Sequence, residues 1–132
     1  MKKIINTINA PAPIGPYNQA ILSGNMLFIS GQIALIPGTP DLVNTDIQAE
    51  TNQVMKNLSA ILTEAGLDLS HVVKTTIFLS DMSLFAEVNE VYGSYFNANR
   101  AAADAGYPAR ETVAVKGLPK NVNVEISMIA SK

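Results

Sequence analysis

A guanidinium and a carboxyl group, Arg110 and Glu125, stand within sixteen residues of one another near the C-terminal end of the sequence. A guanidinium offers planar, two-pronged recognition of a small carboxylate. A carboxyl group among apolar neighbours has its pKa raised toward neutrality and can serve in proton transfer. The same two residues could equally form a structural ion pair stitching adjacent strands. Residue types alone reach a small carboxylate ligand beside a candidate acid/base group, and stop there.

The surrounding elements must position this pair. Thr112–Lys116 is rich in β-branched residues and reads as a strand, which Arg110 enters behind the stiff Pro108-Ala109. Gly117-Leu118-Pro119-Lys120-Asn121 reads as a turn, and 122–130 alternates strictly. Val122, Val124, Ile126, Met128 and Ala130 fall on one face, with Asn123, Glu125, Ser127 and Ile129 on the other.

Upstream, residues 1–6 read as a short strand, followed by an extended loop with three prolines and one glycine in the ten residues from Asn9 to Asn18. Gln19–Ser23 and 26–35 read as a hairpin across Gly24-Asn25, and Ser30-Gly31 interrupts the second strand as a bulge or close backbone approach. A first helix begins at a capping box, Thr45 as N-cap and Gln48 as its partner. It carries an apolar stripe through Ile47, Thr51, Val54, Leu58, Ile61 and Ala65, and stops at Gly66. His71–Ser80 reads as a central strand. Asp81 or Ser83 caps a second helix, with the stripe Leu84/Phe85, Val88, Val91/Tyr92 and Tyr95/Phe96, and the alanine-rich Arg100–Ala105 allows the helix to run on to a stop at Gly106. The order β-β-β-α-β-α-β-β predicts a two-layer α+β domain, a mixed sheet with two helices on one face.

With 132 residues the chain is expected to be a single domain, 1–132. Hydrophobic residues make up 48% and charged residues only 15%, which predicts surface hidden in a homo-oligomer. A net charge of −2 without a basic patch argues against nucleic acid as a partner. The absence of cysteine excludes disulfides, thiolate nucleophiles and zinc–thiolate sites. No apolar run reaches the length of a membrane span and no signal-peptide core opens the chain, so a soluble cytoplasmic protein with no membrane contact is expected. The one histidine, His71, has no partner motif for metal binding or a triad. The glycines are too widely spaced to cradle a phosphate. Tyr17, Ser30, Gly31 and Asn89 each have a plain structural reading: core aromatic, bulge, or solvated helix position.

Four segments resemble the motifs of the RidA/YjgF family: Gly15-Pro-Tyr-Asn-Gln-Ala20, Leu27-Phe-Ile-Ser-Gly-Gln-Ile33, the helix Thr51–Leu58, and the C-terminal Pro108-Ala-Arg-Glu-Thr-Val-Ala-Val with Leu118-Pro-Lys and Val124-Glu-Ile. The resemblance covers essentially the whole chain, in order. It implies a chorismate-mutase-like α+β subunit with a six-stranded sheet, assembled as a homotrimer with clefts between neighbouring subunits. It also implies hydrolytic deamination of reactive 2-imino (enamine) acids, such as 2-iminobutanoate and 2-iminopropanoate, to 2-oxo acids and ammonium, without cofactor or metal. Carried over by position, Arg110 grips the substrate carboxylate and Glu125 positions or activates the attacking water. Tyr17, Ser30, Gly31 and Asn89 line the cleft. Thr112 stands where many members have cysteine, a position the family uses largely through its backbone. The segment 99–107 is a few residues longer than in many relatives. The same fold also implies a competing class, a non-catalytic regulator binding a small carboxylate, or a chaperone-like holdase.

Overall fold

The β-branched and aromatic residues of Val72–Leu79 (β4) and the alternating pattern of Val124–Ser131 (β6) pair antiparallel inside a six-stranded sheet. The computed structural model describes residues 2–97 and 106–132. The remaining strands are Lys2–Ile5 (β1), Ala20–Ser23 (β2), Met26–Gln32 (β3) and Ala109–Ala114 (β5), and the helices are Ile47–Glu64 (α1) and Phe85–Asn97 (α2). The strand order is β1-β2-β3-β6-β4-β5, antiparallel throughout except for the parallel pair β4–β5. The two-layer mixed α+β fold expected from the sequence is the one observed.

Side chains of β3, β4 and β6 pointing toward α1 and α2 make the core. Leu27, Ile29, Ile77, Leu79, Val124, Ile126, Met128 and Ala130 pack there against Val54, Leu58, Ile61, Val88, Tyr92 and Phe96. Among the described residues no layer covers the opposite face of the sheet. Ile4, Ile21, Phe28 and Ile129 form one cross-strand row on it, and Glu125, Phe78 and Val113 form another. Ile4 is 57%, Phe28 46% and Val113 42% exposed, an apolar surface of the kind that marks an interface.

Local chemistry explains the element boundaries. The β2–β3 hairpin closes through Gly24, whose positive φ of 59° is open to glycine at little cost. Gly66, with φ 76°, ends α1, and the Leu67 N–H donates to the Leu62 carbonyl in a Schellman closure. The β3–β6 register shifts between Ile29 and Gln32, so Ser30-Gly31 is a bulge as expected.

Several expected boundaries move. The N-cap of α1 is Asp46, not Thr45: its carboxylate accepts from the Ala49 N–H at 2.7 Å, and Gln48 instead donates to Glu87 at 2.6 Å. A carboxylate placed one residue later wins the cap because it also complements the helix dipole. Asp81 caps a 3-10 turn, Met82–Leu84, which leads into α2. β5 starts at Ala109, placing Arg110 within the strand, because pairing with β4 begins at Lys74↔Ala109. β6 starts at Val124, not Val122, since Leu79↔Val124 is its first rung with β4. The proposed extension of α2 through Arg100–Ala105 lies outside the described residues. His71 accepts from the Asp68 N–H and closes a capping box at a 3-10 turn. Among the described residues no helix is long and apolar enough to cross a membrane.

Candidate functional site

The predicted site residues fall into two groups, on opposite faces of the sheet. Arg110 and Thr112 sit opposite Thr75 and Ile77 of β4, on the helix-covered face. Glu125 sits opposite Phe78, on the open face. Strand β4 separates β5 from β6, so the alternative of an ion pair between adjacent strands is excluded. The turn at 117–121 connects strands that are not neighbours.

The open-face group gathers Tyr17, Ser30, Gly31 and Glu125, with Ile14 and Pro119, around a concavity of about 300 Å³. Gln19 anchors the proline-rich loop that supplies its wall. Buried, Gln19 accepts from the Thr7 N–H at 2.8 Å and donates to the Thr7 and Pro11 carbonyls at 3.0 and 2.9 Å. The Tyr17 ring is 44% exposed at the wall, and its hydroxyl accepts from the Ile14 N–H at 3.2 Å. Ser30 fastens the loop to β3: its hydroxyl donates to the Asn18 carbonyl at 2.6 Å and its N–H to the Gln19 carbonyl at 2.9 Å. Gly31 leaves the room that Glu125 fills. A Cβ at position 31 would stand 2.6 Å from Glu125 Oε2.

Burial pushes the Glu125 carboxyl above its ordinary pKa. A folded pKa above the unfolded value means the native state holds more protons in between, so the contribution of Glu125 falls as pH rises from about 4.3 through the folded pKa. Glu125→Gln removes this term. Its urea midpoint relative to wild type is expected to climb from acid to neutral pH, and a difference independent of pH would refute the assignment.

The second group gathers around Arg110 at the sheet edge. Its guanidinium lies over the Phe85 ring at 5.6 Å and the Tyr92 ring at 5.1 Å, within cation–π range of both. Asn89, Gly93, Tyr107 and Pro108 complete a concavity of about 240 Å³. Among the described residues no carboxylate pairs with Arg110; Lys74 pairs with Glu111 at 3.0 Å. Tyr92 donates to Thr75 Oγ1 at 2.9 Å, and burial raises its pKa, so beneath Arg110 it is a neutral platform and not a counter-ion. Thr112 Oγ1 is buried and has no hydrogen-bond partner among the described residues.

Phe85, Tyr92, Tyr107, Ile14, Pro119 and Gln19 were not read as site residues from the sequence. One signal was available: Phe85, Asn89 and Tyr92 are spaced four and three residues apart and so share one line along α2. That line faces Arg110.

Each concavity is open, and neither exceeds the lower bound of a pocket that buries a ligand. One supplies a cation with no carboxylate partner among the described residues, the other a carboxyl with a raised pKa. The first could hold a small carboxylate and the second could transfer a proton, but one subunit's sheet keeps the two apart.

A family model described as Endoribonuclease L-PSP matches residues 7–132. The chain is 50% identical over 132 residues to the RutC family protein PH0854 of Pyrococcus horikoshii, covering 100% of this chain and 99% of that one. It is 45% identical over 130 residues to the chloroplastic Reactive Intermediate Deaminase A of Arabidopsis thaliana, covering 98% of this chain and 66% of that protein. Its fold superposes with a TM-score of 0.91 on the crystal structure of Escherichia coli TdcF with bound serine, at 41% identity and with 98% of each chain covered. The motifs, the fold and these relatives agree, and the chain belongs to the RidA/YjgF family, which includes reactive intermediate deaminases.

Proposed function

We propose that the protein hydrolyses small 2-imino acids, of the 2-iminobutanoate and 2-iminopropanoate type, to 2-oxo acids and ammonium. The observation that carries this reading is the guanidinium of Arg110, stacked on two aromatic rings, open on one side and without a carboxylate partner among the described residues. The substrate brings a carboxylate to this cation. Glu125 supplies the matching proton-transfer group, a carboxyl whose pKa burial raises.

The working site is a cleft between two copies of the chain in a homotrimer, because one subunit's sheet keeps Arg110 and Glu125 on opposite faces. The uncovered apolar face and the edge position of β5 favour such an assembly. In the cleft, Arg110 clamps the carboxylate of a protonated imine. Water adds to C2 as Glu125 takes its proton, giving a carbinolamine. The proton then passes to nitrogen, the C–N bond breaks as the carbinol hydroxyl gives up its proton to form the 2-oxo group, and that proton ends on the departing ammonia, which leaves as ammonium. Water is the co-reactant, and the imine is already electrophilic. Orientation and proton transfer are enough, each worth a few powers of ten.

The test generates the imine with a threonine or serine dehydratase and follows ammonium release. Wild type is expected to accelerate release, and Arg110→Lys to raise KM about tenfold or more, since an ammonium loses the fork and the stacking. Release unchanged by wild type, or Arg110→Lys at wild-type kcat/KM, would refute the reading. The bound serine of the Escherichia coli neighbour favours one alternative, a regulator that binds a small amino acid at the same place. Saturable serine binding without turnover would select it.

A further inference from the structure

Glu50 on α1 is a carboxyl-bearing side chain only 1% exposed, on the buried stripe that continues through Val54 and Leu58. It faces no cation among the described residues. Its Oε2 accepts from the backbone N–H groups of Asn123 at 2.8 Å and Val124 at 3.1 Å, and its Oε1 accepts from Asn123 Nδ2 at 2.9 Å. Asn123 and Val124 are the two residues immediately before Glu125.

This end of β6 needs a clamp. Pairing with β3 stops at Gln32↔Ile126, so before Ile126 the strand has no paired strand on that side among the described residues. On the other side, Leu79↔Val124 is the last rung, beyond which Ser80 donates its N–H to the Asn123 carbonyl at 3.0 Å. The turn feeding the strand holds Lys120 and Asn121 at φ 53° and 55°, in the left-handed region that costs a non-glycine residue free energy. A strand end with one open side and a strained approach frays unless its free donors are taken up. Glu50 takes up three of them.

We propose that Glu50 is a positioning residue, which by gripping Asn123 and Val124 fixes where the Glu125 carboxyl stands against Gly31 in the cleft. The inference rests on the deaminase reading for its kinetic consequence, but not for its structural one.

Both consequences are measured on the full-length protein. Glu50→Ala and Glu50→Asp are expected to lower kcat for the 2-imino acid about 10- to 100-fold while KM stays within about twofold, because Arg110 lies on a different strand. Glu50→Gln is expected to recover to within about threefold, one amide oxygen still accepting the two backbone donors. Independently of turnover, amide exchange at Val124 and Glu125 should speed up in Glu50→Asp while that of Ile129 does not, and the Glu125 carboxyl titration followed by carbon NMR should shift. If wild type shows no turnover but exchange and titration move as stated, the deaminase reading falls and the positioning role stands. Unchanged exchange and titration overturn the role, as does a kcat loss that Glu50→Gln fails to recover. Glu50→Asp keeps the test decisive if Glu50→Ala does not fold.

Discussion

Subunits carrying Arg110→Ala and subunits carrying Glu125→Gln, each inactive alone, are expected to regain turnover when denatured and refolded together. Arg110 faces the helix layer from edge strand β5, and Glu125 faces away from it on β6. Two side chains on opposite faces of one sheet cannot close on one small acid, but a neighbour's open face set against the β5 edge brings them together. Each variant alone should lose about 10²- to 10³-fold in kcat/KM, the worth of an orienting clamp or of a proton-transfer group. In a random equal mixture, an intact site needs Arg110 from one subunit and Glu125 from the next. Each is present with probability one half, so about a quarter of wild-type activity should return in a cyclic assembly. If the residues met within one chain, every chain in the mixture would lack one of them and the mixture would stay inactive. That outcome would overturn the inter-subunit cleft.

The other large effect is at Gly31. A Cβ there would stand 2.6 Å from Glu125 Oε2, 2.9 Å from its Cδ and 3.1 Å from its Cγ. All three contacts are to the end of one flexible side chain, so the carboxyl gives way and the backbone does not. Gly31→Ala is therefore expected to fold and assemble, with its urea midpoint close to wild type. The carboxyl, however, must retreat by about half an ångström or more, and misplacements on the order of 1 Å cost about 10²-fold. A loss of kcat on the order of 10-fold to 10²-fold is the expected result. Glu125→Asp in the Gly31→Ala background, one methylene shorter, should relieve the clash without restoring the rate. Gly31→Ala with wild-type kcat would show that Glu125 does not need this position.

A peptide chain's local signals are periodicity, caps and turn residues, and these are what the sequence carried. The alternation across 122–130, the stripes of the two helices and the glycine stops at Gly24 and Gly66 depend only on neighbours a few residues away, so the α+β order could be read directly. The misplaced N-cap at Thr45 shows the limit of that reading: Thr45 and Asp46 are both good caps, and the choice turned on which of them meets the Ala49 N–H. The chemistry of Arg110 and Glu125 was equally legible from residue type. Their relation was not, because nearness in sequence suggested adjacent strands, whereas the parallel crossover from β4 to β5 through α2 placed β4 between them. Likewise Phe85 and Tyr92 read as part of an apolar stripe until the fold laid them under the guanidinium, and nothing in the sequence singled out Glu50, which the packing of α1 across the start of β6 brought to Asn123. By itself the sequence determined which groups could do chemistry and which elements carry them. The tertiary structure decided which face each group occupies, because strand order is set by packing of the whole sheet, a non-local free energy that no short stretch of residues encodes.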